Sequence, residues 1–364
     1  MEMPGELQKN CVLIVDEREA NRVHNKGYPG IPQSGGSLKL GLLEAGFLME
    51  EKDFEITGMD SVVDLFQYAG DYFRDFEVQY LVYRELKLRG FFVRIPDSQF
   101  ADEFSMDLSD SPNNEKGPGH EPFRLLPRGA KPSTPASIHV LPISERTEFN
   151  MVSLLDFFRT AETKGVEAIA GVVDEDGDVT FYSLRSTSPS GDCNDQLGSV
   201  IDGKLGRNRV LVELDTEAKK VHQIGFYGRV LGTTLHLSLL EGRYLLEKGN
   251  LEIRGLSVDD LQRNAAEMQS DFSLRYPVYK LLRDAGVRVK TGFKYGTHFR
   301  AYSQDPDKSH ADFLVHVYQD KAKVDWQEIS RGVRVAHGVK KRILLTSPQL
   351  FENKEFLELA WVRP

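Results

Sequence analysis

The chain has 364 residues, 40% hydrophobic and 28% charged, with a net charge of −9 and two cysteines. That length suits about two to three domains. No apolar run approaches the roughly 18 residues of a membrane span, no basic-then-apolar opening marks a secretory signal, and Cys11 and Cys193 form neither a metal spacing nor a disulfide framework, so a cytoplasmic setting is expected.

Taken in chain order, the sequence repeats itself. Val23-His-Asn-Lys-Gly-Tyr-Pro-Gly30 returns as Val221-His-Gln-Ile-Gly-Phe-Tyr-Gly228. Leu43-Glu-Ala-Gly-Phe-Leu-Met-Glu50 returns as Leu240-Glu-Gly-Arg-Tyr-Leu-Leu-Glu247, and Asp75-Phe-Glu-Val-Gln-Tyr-Leu-Val-Tyr-Arg84 as Asp271-Phe-Ser-Leu-Arg-Tyr-Pro-Val-Tyr-Lys280. Three ordered matches at nearly constant separation predict two copies of one unit, at residues 10–185 and 208–364. Residues 186–207 read as a linker that opens on a turn-rich stretch. The second copy divides into 208–270 and 271–364. A long irregular loop is expected at about 105–135, with residues 110–119 its most polar part. The fold class is α+β with mixed sheets, each copy a small α/β subdomain followed by a mixed-sheet subdomain.

In the second copy the pattern predicts a short strand at 210–212 and a Leu-rich helix around 235–246. A helix over 273–285 places Tyr276, Tyr279, Lys280 and Arg283 at three-to-four spacing, and Gly286 is positioned to end it. Strands follow at 287–290 and 313–318. A helix over 326–337 puts Ile329, Val333 and Ala336 on one face, with Gly338 as its left-handed stop. Closing strands are expected at 343–346 and 356–362.

Charge is unevenly spread. Between Arg275 and Arg300 lie Lys280, Arg283, Arg288, Lys290 and Lys294, with Asp284 the only acid. Residues 330–350 hold Arg331, Arg334, Lys340, Lys341 and Arg342 and no acid. A local basic face on an acidic chain is compatible with nucleic acid.

Three residues in this basic region suit RNA cleavage. Tyr302 closes a predicted strand before a polar loop, His310 follows the loop and is expected to open a strand, and Lys341 precedes a strand after a helix. A phenol can take a proton, an imidazole can give one, and an ammonium can hold developing charge, so RNA can be cut without a metal. As a base the phenol, with a reference pKa of about 10, needs a lowered pKa, which Lys341 is expected to supply in part. No metal-ligand cluster and no cofactor is expected. In the first copy, Arg159-Thr-Ala161 aligns with Arg334-Val-Ala336, which sets Val166 opposite Lys341. The counterparts of Tyr302 and His310 are expected to fall in the long loop. Asp174-Glu-Asp-Gly-Asp178 reads as a hairpin turn with more acids than a turn needs, and it lacks the twelve-residue calcium pattern.

Gly292-Phe-Lys-Tyr-Gly-Thr-His-Phe-Arg-Ala-Tyr302, His310-Ala-Asp-Phe-Leu-Val315 and Arg334-Val-Ala-His-Gly-Val-Lys-Lys341 resemble the signature of the archaeal tRNA-splicing endonucleases. The duplication resembles their homodimeric branch. The resemblance implies a nuclease-like mixed-sheet subdomain with a catalytic second copy and a structural first copy. It implies Tyr302, His310 and Lys341 as the catalytic set, with Lys340 competing for the lysine role. It makes Arg334 and Arg363 candidates to sandwich a bulged base, with Arg300 and Lys340 as further RNA contacts. It implies that Asp174, Glu175, Asp176 and Asp178 dock on a partner subunit. The substrate would be precursor tRNA with a bulge-helix-bulge. A competing reading is a non-catalytic structured-RNA binder or structural subunit of a splicing complex. A metal-dependent DNA nuclease is disfavoured, because Asp312 and Glu328 lack its ligand pattern.

Overall fold

The computed structural model describes residues 5–71, 73, 75–97, 121–127, 129–131, 133–193, 197–319, 323–351 and 354–364. Chain contacts define two compact units. One comprises residues 1–185, 323–330 and 361–364, the other residues 186–322 and 331–360.

The first unit opens with β1 (Gly5–Leu7), β2 (Cys11–Ile14), α1 (Glu17–His24), β3 (Ile31–Pro32), β4 (Leu38–Gly41), α2 (Leu42–Lys52), β5 (Ile56–Thr57) and α3 (Val62–Gly70). The strands form a sheet in the order β3-β4-β2-β1-β5. There follow α4 (Phe76–Leu88), β6 (Phe92–Arg94), β7 (Phe123–Leu126), β8 (Ile138–Ser144), α5 (Met151–Thr163), β9 (Glu167–Val173) and β10 (Val179–Thr187).

The order then repeats. The elements β11 (Ile201–Leu205), β12 (Arg209–Glu213), α6 (Thr216–Gly225), β13 (Arg229–Leu231), β14 (Thr234–Ser238), α7 (Leu239–Glu247), β15 (Leu251–Ile253) and α8 (Val258–Met268) form a sheet in the matching order β13-β14-β12-β11-β15. Next come α9 (Phe272–Asp284), β16 (Arg288–Thr291), β17 (Phe299–Tyr302), β18 (Phe313–Val317), α10 (Trp326–Gly338), β19 (Arg342–Thr346), the short α11 (Pro348–Phe351) and β20 (Phe356–Val362). In each copy the second strand run has one parallel pair, β8 with β9 and β18 with β19, flanked by antiparallel pairs.

Local chemistry repeats with the order. Ser61 and Asp64 form a capping box at the start of α3, and Ser257 and Asp260 do the same for α8. Such reciprocal bonds satisfy donors that a helix start leaves orphaned. Each unit buries its own apolar core, around Tyr83 and Phe123 in the first and around Tyr244, Phe272 and Val315 in the second.

Four expectations need correction. The Leu-rich helix around 235–246 begins as strand β14, because alternating Leu235 and Leu237 bury one sheet face before the Ser238 cap. The linker expected at 186–207 contains β11, which pairs with β12 and β15. The irregular stretch at 105–135 contains β7, which pairs with β6 and β8; residues 110–119 lie outside the described residues. Gly338 does not stop α10 in a left-handed conformation. That role falls to Lys340, at φ 55°.

Candidate active site

Tyr302, the approach to β18 and the approach to β19 meet at one end of three adjacent strands. Antiparallel β17 and β18 pair Ala301 with Phe313, and the Asp312 N–H donates to Ala301 O at 3.0 Å. Parallel β18 and β19 pair Phe313 with Arg342, and the Arg342 N–H donates to Asp312 O at 3.1 Å. The last residue of β17 is therefore Tyr302, while the loop carrying His310 enters β18 and Lys341 enters β19 at the same end. His310 does not open the strand as expected. It stands exposed in the loop, three residues before β18.

That loop is organised by two carboxylates. Asp312 Oδ2 accepts the Ser303 N–H at 2.8 Å. Asp305 O accepts the Lys308 and Ser309 N–H groups and the Ser309 hydroxyl, and Asp305 Oδ1 accepts the Asp307 N–H at 2.9 Å. The Asp307 N–H leads the groups, Lys308 and Arg288 among them, that hold Asp305 below the usual carboxylate range.

Lys341 and Lys340 are separated by the way α10 ends. The Lys341 N–H donates to Ala336 O at 2.9 Å and the Lys340 N–H to His337 O at 3.0 Å, the paired bonds of a Schellman motif. Lys340 takes the left-handed position and is exposed. The Lys341 ammonium turns inward and donates to Ala311 O at 3.2 Å, beside His310.

The Tyr302 phenol departs from expectation. Burial, with the side chain only 7% exposed, pushes its pKa up, and the opposing pull comes from Arg300. The Arg300 guanidinium lies 5.9 Å from the Tyr302 ring centroid and donates through Nε to Thr291 O at 2.9 Å. Lys341 had been expected to supply this pull. Arg300 can do so because β17 carries it two residues before Tyr302, hence on the same sheet face. Sequence reasoning also missed Asp305, and weighed Asp312 only as a metal ligand; the local Asp-turn chemistry of a polar loop was the one signal for their part in ordering it.

The other predicted residues lie elsewhere. Arg334 is exposed on α10. Arg363 belongs to the first unit and sets its guanidinium 4.9 Å from the Trp361 ring. Residues 174–178 form the β9–β10 turn, where Asp174 Oδ1 accepts the N–H groups of Asp176 at 3.1 Å and Asp178 at 2.9 Å. Asp174 thus builds the turn and Glu175 pairs with Arg146, while Glu175, Asp176 and Asp178 are all exposed.

The family model for the tRNA intron endonuclease catalytic C-terminal domain matches residues 272–355, and that for the N-terminal domain matches twice, at 3–65 and 201–262. The chain belongs to the tRNA intron endonuclease family. It is 35% identical to a tRNA-splicing endonuclease of Methanococcoides burtonii over 94% of this chain and 95% of that protein. Identity to those of Methanosarcina acetivorans (33%, over 99% of this chain and 100% of the relative) and Halobacterium salinarum (30%, over 95% of each) is similarly extended. Tyr302, His310 and Lys341 all fall inside the segment matching the catalytic domain, whereas residues 174–178 and Arg363 fall outside every matched segment. No helix among the described residues is long and apolar enough to cross a membrane.

Proposed function

We propose that this chain is a tRNA-splicing endonuclease that cuts precursor tRNA at intron–exon boundaries in a bulge-helix-bulge, without a metal. The observation that carries this reading is the meeting of Tyr302, the His310 loop and Lys341 at one end of β17, β18 and β19, inside the match to the family's catalytic domain. Tyr302 removes the proton of the ribose 2′-OH. The 2′ oxygen attacks the adjacent phosphorus, and the bond from phosphorus to the 5′ oxygen breaks as His310 donates a proton to that oxygen. Lys341 stabilises the charge gathering on the non-bridging oxygens. The products are a 2′,3′-cyclic phosphate and a 5′-hydroxyl. Because Tyr302 is held above its ordinary pKa, only a small fraction of it is ionised at neutral pH, so the chemical step rises with pH through the neutral range. Removing Arg300 lowers the rate at any given pH on that limb.

In this reading Arg334 and Arg363 stack a bulged base, Arg300 and Lys340 meet the RNA backbone, and the first copy is structural. Two chains form a homodimer suited to a substrate with two cut sites, and residues 174–178 dock on the partner subunit through the exposed Glu175, Asp176 and Asp178. The test is end analysis of a cleaved bulge-containing precursor tRNA in excess chelator. Cyclic phosphate ends at an undiminished rate are expected. Cleavage that returns only with a divalent ion and leaves 5′-phosphates overturns the mechanism.

A further inference from the structure

We propose that the segment joining the two copies, Gly191-Asp192-Cys193, is a positioning element for Tyr302, strapping the strand end that presents the phenol; this rests on the reading of Tyr302 as the base. Three successive backbone donors are engaged. The Gly191 N–H donates to Ala285 O at 3.0 Å, the Asp192 N–H to Ser303 O at 3.0 Å and the Cys193 N–H to Gly286 O at 2.9 Å. Two acceptors belong to the turn that leaves α9. The third is the residue immediately after Tyr302. The strap therefore ties the end of β17 to a turn seated on the core of this unit.

The approach is close enough to dictate sequence. A Cβ on Gly191 would lie 2.4 Å from Gly286 O, and one on Gly286 would lie 2.5 Å from Gly191 O. Gly286 also holds φ +76°, which an L side chain rarely adopts. Two backbones can cross here only as glycines.

A side-chain pair locks the crossing. The Asp192 carboxylate accepts from Arg288, whose side chain is 10% exposed and whose guanidinium lies 5.1 Å from the Phe226 ring. Arg288 stands opposite Tyr302 in the β16–β17 register. One ion pair thus joins the strap to the strand opposite the phenol. A general base must sit within hydrogen-bond reach of the proton it takes, and a displacement near 1 Å can cost about a hundredfold.

The experiment is single-turnover cleavage of a bulge-containing precursor tRNA by the full chain, with RNA affinity measured alongside. The variants are Asp192→Ala, Gly191→Ala, Tyr302→Phe and the double variant Asp192→Ala with Tyr302→Phe. Asp192→Ala is expected to slow the chemical step about ten- to a hundredfold while affinity changes less than about twofold. Gly191→Ala, if it folds, should behave alike. On the Tyr302→Phe background, Asp192→Ala should add nothing, because the strap acts through the phenol. A wild-type rate for Asp192→Ala, or the same slowing on both backgrounds, overturns the strap. Tyr302→Phe cleaving at the wild-type rate overturns instead the reading of Tyr302 as base.

Discussion

The two copies end their equivalent strands in opposite chemistry. Where β17 closes on Tyr302, β7 closes on Leu126. Three residues before β18 stands His310, and three residues before β8 stands Pro135. Lys341 precedes β19 and Val166 precedes β9. The backbone bonds are nonetheless the same. The Ser137 N–H meets Leu125 O as that of Asp312 meets Ala301 O, and the Val166 N–H meets Ala161 O as that of Lys341 meets Ala336 O. The framework is built by pairing and capping that use backbone groups, so it survives when the three side chains at its end are exchanged for apolar ones.

The sharpest break in this comparison is made at those three positions. His310→Ala should slow the chemical step roughly 10²–10⁴-fold with RNA binding little changed. Lys341→Ala should be comparably damaging and Lys340→Ala much milder, since the inward ammonium is that of Lys341. Single-turnover rates decide it. A His310→Ala variant within threefold of wild type removes the imidazole from the mechanism, and a Lys340→Ala defect larger than that of Lys341→Ala exchanges the two lysines.

The copies also differ beneath the glycine turn of their first subdomains. Tyr227 is buried against the Arg283 guanidinium, 4.2 Å from its ring, while the aligned residue of the first copy is Pro29. Beside Pro29 lies a cavity of about 90 Å³ lined also by Phe47, Tyr83, Lys87 and the buried Glu44. Tyr227→Ala should therefore destabilise the second copy by about 3–5 kcal/mol, the cost of emptying an aromatic site in a packed core. Chemical denaturation measures it. A loss below about 1 kcal/mol would show that the site collapses freely.

Glu44 and Glu241 carry the same contrast into pH. Both accept two backbone N–H groups, Glu44 from Gly30 and Gly41, Glu241 from Gly228 and Ser238. Burial raises Glu44 to about 7, because Lys87, the ammonium facing it, gives too little relief. Burial would raise Glu241 too, but Lys290, 3.4 Å from Oε1, leads the groups that hold it below its ordinary value. The folded protein keeps a proton on Glu44 that the unfolded chain releases. Stability should consequently fall as pH rises from about 4.5 to about 7 on this account. Glu241 acts in the other sense: its contribution is present above the unfolded pKa and is lost as pH falls through the lower folded one. Melting curves from about pH 2 to about pH 8 for Glu44→Gln and Glu241→Gln should each lose one of these opposed slopes, that of Glu44 above its unfolded pKa and that of Glu241 below it. Slopes identical to wild type in both variants would contradict the assignment.

What the sequence made legible follows from periodicity. The repeat, the helix at 326–337 and the strands beside it were readable because side-chain spacing of two and 3.6 residues reports burial directly. Tyr302, His310 and Lys341 stood out because their residue types and order resemble a family signature, and all three fall within the match to the catalytic domain. The failures share a cause. Leu126 was missed as the counterpart of Tyr302 because the long insertion between β6 and β7 breaks the constant separation of the copies. Gly191-Asp192-Cys193 looked like a plain linker because its contacts are backbone bonds and an ion pair to the sequence-distant Arg288, which no local side-chain pattern encodes. Arg300 was assigned to RNA alone because a cation facing a phenol across one sheet face shows only once the strand is placed.

The finest difference lies where the two long helices stop. The residue after α5 that turns left-handed is Gly165, at φ 66°, and after α10 it is Lys340, at φ 55°. Glycine meets no Cβ penalty there, whereas an L side chain is strained by roughly 1–2 kcal/mol. Part of that is offset by the greater entropy a glycine loses on folding, roughly 0.5–1 kcal/mol. Lys340→Gly should thus stabilise the protein by up to about 1 kcal/mol, while Lys340→Ala, which removes the same charge and keeps the strain, should not. Both should weaken RNA binding slightly and flatten its salt dependence by about one ion if Lys340 meets a phosphate. Gly165→Lys in the first copy is the mirror test and should destabilise by a similar amount. Equal denaturation midpoints for Lys340→Gly and Lys340→Ala would refute the strain. An unchanged salt slope in both would free Lys340 from any RNA contact, leaving it only the task of turning the chain so that Lys341 points inward.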